Sequence, residues 1–201
     1  MTRERITPEA HFDAGYYSKW YHKDIGARKS LADNAARFVL SYIDHMDASV
    51  SSVLDLGCGL GLWKKALHKH DPDLKYTGVE YSSHLCAKLG WKQGDVRSYS
   101  AAKPFDLVIC QAVLQYLPDE DCAGAIENLA RLSRNFLYLE VLTAADAREV
   151  CAEDGTDFEV HVRDARWYTT RLARHFVNLG GGLYAKPVMR PYYYELWCTG
   201  A

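Results

Sequence analysis

The sequence lacks any long uninterrupted apolar run. No stretch approaches the ~18 apolar residues that a membrane span requires. The opening segment MTRERITPEAHFDAGYY has no apolar core of the signal-peptide kind. Both absences lead to the expectation of a soluble, cytoplasmic chain with no membrane partner. Paired metal-binding cysteines are missing as well. Cys58, Cys86, Cys110, Cys122, Cys151 and Cys198 form no CxxC motif and no Cys/His cluster of zinc spacing, so no metal is expected. They lie in apolar runs, where a free cysteine in a reducing compartment acts as a small hydrophobe. Neither sign of charge is in excess: 24 Lys and Arg stand against 26 Asp and Glu. That balance argues against a dedicated nucleic-acid binder, which usually carries a basic stripe. No repeat, low-complexity tract or Pro/Gly/Ser linker interrupts the 201 residues, and residues 1–201 are read as one domain.

What is present is an alternation of strand and helix signals. Residues 30–46 read as an amphipathic helix with Leu31, Ala35, Phe38, Val39, Tyr42 and Met46 on one face and Ser30 as N-cap. Strands are predicted at Ser52–Leu56, Tyr76–Val79, Trp91–Gln93, Phe105–Cys110 and Phe136–Leu142. Helices are predicted at Leu62–Lys69, Ser83–Leu89, Glu120–Ser133 and Ala165–His175. Strands separated by helices imply βαβ units and a mostly parallel sheet with helices on both faces. Near the C-terminus, Phe176–Leu179, a triple glycine and a predicted strand at Tyr192–Cys198 leave no room for a crossover helix. An antiparallel pair at one sheet edge is therefore expected.

The densest signal is Val53-Leu54-Asp55-Leu56-Gly57-Cys58-Gly59-Leu60-Gly61, which follows a strand and opens a helix. Glycines permit a tight turn and close approach of the backbone to a ligand. The helix N-terminus behind them offers free N–H groups. Glu80 ends the second strand 25 residues after Asp55, where an acid in a βαβ unit can accept from both hydroxyls of a ribose. A dinucleotide-dependent oxidoreductase is the rival reading. Its fingerprint wants a third glycine where Leu62 stands, and it has no rule for an acid at Asp55.

DLGCGLG, the acid of VEYS, the acid of GDV and the run FDLVICQAVLQYL together resemble the ordered motifs of the class I S-adenosylmethionine-dependent methyltransferases. The resemblance covers roughly residues 50–142. It implies a doubly wound, Rossmann-like, mostly parallel seven-stranded α/β sheet with an antiparallel C-terminal edge hairpin and an N-terminal helical lid. Residues 1–46 would form the lid and first helix, 50–142 the cofactor-binding core, and 143–201 the acceptor side and edge strands. The implied cofactor is S-adenosyl-L-methionine. Gly57, Cys58 and Gly59 would pass beneath its methionine part, and Asp55 would reach its amino group. Glu80 would hold the ribose hydroxyls, and Tyr81 would pack on the adenine. Asp95 would accept from the adenine amino group beside the Val96 backbone, and Gln111 would lie near the sulfonium.

The acceptor side is less defined. Ligands of open α/β sheets bind beyond the carboxyl ends of the strands. That places Gln111, Gln115, Tyr116 and Glu140 as candidate catalytic residues. Tyr16, Tyr17, Trp20 and Tyr21 sit in a segment too polar for a core strand and too aromatic for an idle linker. They are candidates for a lid, with Tyr17, Trp20 and Tyr21 touching substrate; the other reading is that they dock the N-terminal helix on the sheet. Arg163 and Arg166 are candidate clamps for an acceptor carboxylate or phosphate, against surface ion pairing with Asp164 or Glu159. His11, His22 and His161 are candidate bases. After the fourth strand the sequence reads CQAVLQY, without the Pro-Pro-Tyr of a DNA amino-methylating enzyme, and Cys110 lacks the preceding proline of a cytosine C5 enzyme. The expectation is methyl transfer to an oxygen or nitrogen of a small-molecule acceptor. A protein or RNA acceptor, or a non-catalytic partner subunit of the same fold, are the alternatives.

Overall fold

The computed structural model describes residues 12–21, 25–151 and 155–198. His11 and His22 lie outside the described residues. Two N-terminal helices, α1 (Ala14–Tyr21) and α2 (Ile25–His45), precede a sheet whose first strand is β1 (Ser52–Leu56). Then follow α3 (Leu62–His70), β2 (Lys75–Glu80), α4 (Ser83–Leu89), β3 (Lys92–Gln93), β4 (Phe105–Gln111), α5 (Asp119–Leu132) and β5 (Ser133–Glu140). The remainder is α6 (Ala144–Glu149), α7 (Ala165–Leu172), β6 (Val177–Gly180) and β7 (Leu183–Ala185), with short 3-10 turns. Among the described residues no helix is long and apolar enough to cross a membrane.

The seven strands run in the order β3-β2-β1-β4-β5-β7-β6. β1 to β5 are parallel, while β7 is antiparallel to both β5 and β6. The chain therefore winds outward from β1 through β2 to β3, returns, and winds the other way from β4. The reversal point lies between β1 and β4, where ligands of doubly wound sheets bind.

Strand periodicity sorts the apolar side chains to two faces. Leu54, Leu56, Val108, Cys110, Leu137 and Leu139 face α5 and α7 through Ile126, Leu129 and Leu172. Val53, Leu107, Ile109, Phe136 and Tyr138 face α2 and α3 through Val39, Ile43, Ala66 and Leu67. Burial on both faces explains why these strands read as continuous apolar runs rather than alternating ones.

Two sequence expectations are corrected. Helix α2 begins at Ile25, so Ser30 lies inside it rather than capping it. Its buried stripe is Ala32, Ala36, Val39, Ile43 and Met46, with Leu31 and Phe38 exposed. The small alanines belong to the same core as Ala66 of α3, and this contact, not side-chain size, chooses the face. The predicted strand at Tyr192–Cys198 is absent. That region forms 3-10 turns at Pro187–Tyr192 and Glu195–Trp197, and the antiparallel partner of β6 is instead Leu183–Ala185. Pro187 and Pro191 have no N–H for a ladder. The hairpin closes through Gly181 and Gly182, both at positive φ as a two-residue primed turn demands.

Candidate active site

A cavity of about 390 Å³ opens at the reversal point, over the carboxyl ends of β1, β2 and β4. Its floor is the glycine loop. Gly57 has φ +84°, and a Cβ there would come within 2.3 Å of the Val113 side chain, another wall of the cavity. The loop is held by the Gly57 N–H, which donates to the Val79 carbonyl at 2.8 Å. Glu80, at the end of β2, lines the cavity although it is only 5% exposed. Its Oε2 accepts from the Gly59 N–H at 2.8 Å and its Oε1 from the Ser82 N–H at 2.9 Å. Two backbone donors thus orient the carboxylate, and each oxygen keeps lone-pair capacity for a further donor.

Tyr81, Asp95, Val96 and Gln111 line the same cavity with Gly57, Gly59 and Glu80. Asp95 is gripped by Arg97, whose Nε lies 3.0 and 2.9 Å from its two oxygens and whose backbone N–H donates to Oδ1 at 2.8 Å. Burial opposes ionisation of Asp95, but these Arg97 contacts outweigh it and hold the carboxyl below its usual range. Gln111 is clamped on both sides: its Oε1 accepts from Trp63 Nε1 at 2.7 Å and its Nε2 donates to Glu140 Oε2 at 3.1 Å. The next residue, Ala112, has φ +56°, a left-handed conformation that is uncommon for a residue with a Cβ.

Asp55 and Cys58 do not line this cavity; both are buried beneath it. Asp55 accepts from the Tyr76 hydroxyl at 2.5 Å. Burial, offset by that hydrogen bond and reinforced by the nearby charge of Glu80, pushes its carboxyl up to about 7.

The N-terminal aromatics form the roof. Phe12, Tyr16, Tyr17 and Tyr21 line the first cavity, and the Phe12 carbonyl is tied to the Ser82 hydroxyl at 2.6 Å. The Tyr16 and Tyr116 hydroxyls meet at 2.7 Å, and Tyr116 also donates to Asp157 Oδ2 at 3.2 Å. Burial raises both phenols well above their ordinary range. This pair divides two spaces, for Tyr16, Tyr21, Ala112 and Tyr116 also line a second cavity of about 440 Å³. Trp20, Gln115 and Glu140 line that second cavity alone.

The arginine clamp is not found. Arg163 is buried, and its donors are committed within the fold: Nε to Asp119 at 2.7 Å, Nη1 to the Tyr168 hydroxyl at 3.0 Å and Nη2 to the Leu117 carbonyl at 2.5 Å. It therefore braces the turn at Leu114–Tyr116, and its partner is Asp119, not Asp164 or Glu159. Arg166 is exposed and lines neither cavity. His161 is exposed at the rim of the first cavity. Several lining residues gave no sequence signal. Arg97 looked like any surface arginine, and Arg28 and Asp157 reach the second cavity only through the fold. Among the described residues no group of three or more His, Cys, Asp or Glu is placed to hold a metal ion.

Residues 53–135 match the family model described as "Methyltransferase domain". Trans-aconitate 2-methyltransferase from Azoarcus sp. is 35% identical over 92 residues, 42% of this chain and 36% of that protein. The enzyme of the same name from Pseudomonas paraeruginosa is 28% identical over 181 residues, 84% of this chain and 58% of that protein. The chain thus spans between about a third and three-fifths of the length of these curated relatives. Among solved structures, magnesium protoporphyrin IX methyltransferase from Synechocystis with bound SAH superposes with a TM-score of 0.64. It is 16% identical and covers 89% of this chain and 94% of its own, a likeness of fold.

Proposed function

We propose, on the premise that this chain carries a class I, Rossmann-like methyltransferase domain, that it transfers a methyl group from S-adenosyl-L-methionine to an oxygen or nitrogen of a small-molecule acceptor. The observation that carries the reading is Glu80. Its carboxylate is fixed by two backbone N–H groups at a strand end, on a cavity floored by a glycine loop that tolerates no side chain at Gly57. That fits a vicinal diol placed close to backbone.

The residues fall into distinct roles. Glu80 accepts from the ribose hydroxyls, Tyr81 packs on the adenine, and Asp95 with the Val96 backbone meets its polar edge. The backbone of Gly57 to Gly59 lies under the methionine part, with Asp55 buried behind it. Gln111, held between Trp63 and Glu140, faces the reacting end. The cofactor, held by these residues, would supply a methyl carbon already activated as a sulfonium for direct displacement by the acceptor. The protein's task is then to align and desolvate. Tyr16, Tyr17 and Tyr21 exclude water from above, and Gln115, Tyr116 and Glu140 border the acceptor space. The relatives named for trans-aconitate support a small-molecule acceptor. The six free cysteines are in keeping with a cytoplasmic setting.

Calorimetric titration with S-adenosylhomocysteine, with NADH in parallel, tests the reading. The expected result is micromolar binding of the first and none of the second. NADH binding alone would turn the reading into an oxidoreductase.

A further inference from the structure

Three charged residues that line the first cavity form a chain: Asp95, Arg97 and Asp121. Arg97 sends Nε and Nη2 to the Asp95 carboxylate and Nη1 to Asp121 Oδ2 at 2.7 Å. The guanidinium is thus fixed at both ends, by the loop after β3 and by the first turn of α5. Asp95 is ionised, because the Arg97 contacts outweigh its burial, and an ionised carboxylate can only accept. Such a group has about four lone-pair sites. Arg97 brings its backbone N–H to Oδ1, one Nη2–H to Oδ2, and the single Nε–H shared between both oxygens. That leaves room for about one further donor, on a group that lines the cavity.

The guanidinium is not needed to shape the backbone here. Asn128 Nδ2 donates to the Val96 and Tyr99 carbonyls at 2.8 and 3.0 Å, and the Gly94 N–H donates to the Glu80 carbonyl at 3.0 Å. What Arg97 adds is the orientation of one carboxylate. A single open acceptor site suits an amino hydrogen, whereas a carbonyl oxygen would meet it lone pair against lone pair. We infer that Arg97 is a positioning residue for the choice of nucleobase: it holds Asp95 with one acceptor site toward the cavity, which selects a purine bearing an exocyclic amino group over one bearing a ring carbonyl. The inference rests on the proposed methyltransferase reading, which puts the adenine at Asp95.

Calorimetry on the full chain compares S-adenosylhomocysteine with S-inosylhomocysteine, which has a ring carbonyl where the amino group stands. The wild type should prefer the first about tenfold or more. Arg97→Met keeps the length of the side chain and removes its donors. It should weaken S-adenosylhomocysteine about fivefold to tenfold and leave S-inosylhomocysteine within about twofold, because a released carboxyl can turn from the base or take a proton and donate to the carbonyl. Asp121→Asn loosens only the far end of Arg97, and about twofold to threefold of the preference should go. A melting scan should find both variants folded, since the Arg97 and Asp121 side chains are 37% and 41% exposed; should Arg97→Met not fold, Asp121→Asn carries the same comparison. Equal losses for both ligands in the folded variants would make Arg97 a purely structural residue and overturn the inference, as would a wild type that does not distinguish the two ligands. If the wild type binds neither, the methyltransferase reading beneath falls instead.

Discussion

The two cavities share a wall but are built in opposite ways. The floor of the first takes Gly57, Gly59, Glu80, Tyr81, Asp95 and Gln111 from one stretch, each at or just beyond the end of a parallel strand. Hydrogen bonds between backbone and strand-end side chains hold that stretch, so the floor of the first cavity is set once the sheet forms. The second is assembled from α1, the start of α2, the turn at Leu114–Tyr116, the end of β5 and the region around α6. Its integrity depends on side chains that bridge these pieces: the Tyr16–Tyr116 pair, Tyr116 on Asp157, and the Arg163 brace. Parallel sheets place a cofactor site by topology, whereas an acceptor site is added by whichever loops and helices reach over it.

That contrast can be broken most forcefully at Arg163. Arg163→Ala strips partners from the Leu117 carbonyl, the Tyr168 hydroxyl and Asp119 together. It should cost about 2–4 kcal/mol, because the Tyr168 hydroxyl and the Leu117 carbonyl lose a donor while the largely exposed Asp119 regains water. A calorimetric melting scan should show a drop on the order of 10 °C for a chain of this size. An unchanged melting point would mean that the turn dividing the cavities stands without its brace.

Glu80→Ala addresses the first cavity alone. It should weaken S-adenosylhomocysteine by about 1–3 kcal/mol through unpaired polar partners. Measured affinity equal to wild type in a folded variant would remove Glu80 from the site.

The buried acid under the first cavity sharpens the comparison through pH. Asp55 titrates near 7 in the folded protein because of burial, against about 3.9 in an unfolded chain. The folded state therefore holds the proton more tightly. The stability this contributes is complete below about pH 4 and is lost as pH climbs to about 7. Asp55→Asn does not titrate, so its melting temperature should rise relative to wild type between pH 4 and pH 7 and level off above. A constant offset across that window would show that Asp55 ionises normally.

The smallest effect belongs to the shared wall. Tyr16→Phe removes one hydroxyl from a pair and should change stability by only about 0.5–1.5 kcal/mol. Methyl transfer should fall more than cofactor affinity does, since Tyr16 touches both cavities. Equal losses in both would place Tyr16 in the cofactor site alone.

How much was legible follows the same division. Seven expected cofactor-side residues (Gly57, Gly59, Glu80, Tyr81, Asp95, Val96 and Gln111) do line one cavity. A strand followed by a glycine loop or a terminal acid is a local pattern, and parallel strands bring such ends together whatever their spacing. Asp55 and Cys58 carried the same signal yet lie behind the wall; for Asp55 the pleat of β1 turns its side chain away from that of Leu56, which lines the cavity. The aromatic segment was legible as a lid or dock, but not the hydroxyl contact between Tyr16 and Tyr116, residues a hundred positions apart. Arg163 was misread as a clamp because a buried arginine and a ligand-facing one look alike in sequence.

The sequence by itself determined the alternating α/β order, the parallel sheet, the glycine loop and the acid at its second strand. These depend on periodicity and on backbone geometry that neighbouring residues settle. Tertiary structure alone decided which face α2 buries, that the last strand is Leu183–Ala185, that Arg163 is braced internally, and that Tyr16 meets Tyr116 between two cavities. Each of those is a choice among distant partners, and burial energy is settled only when the partners meet.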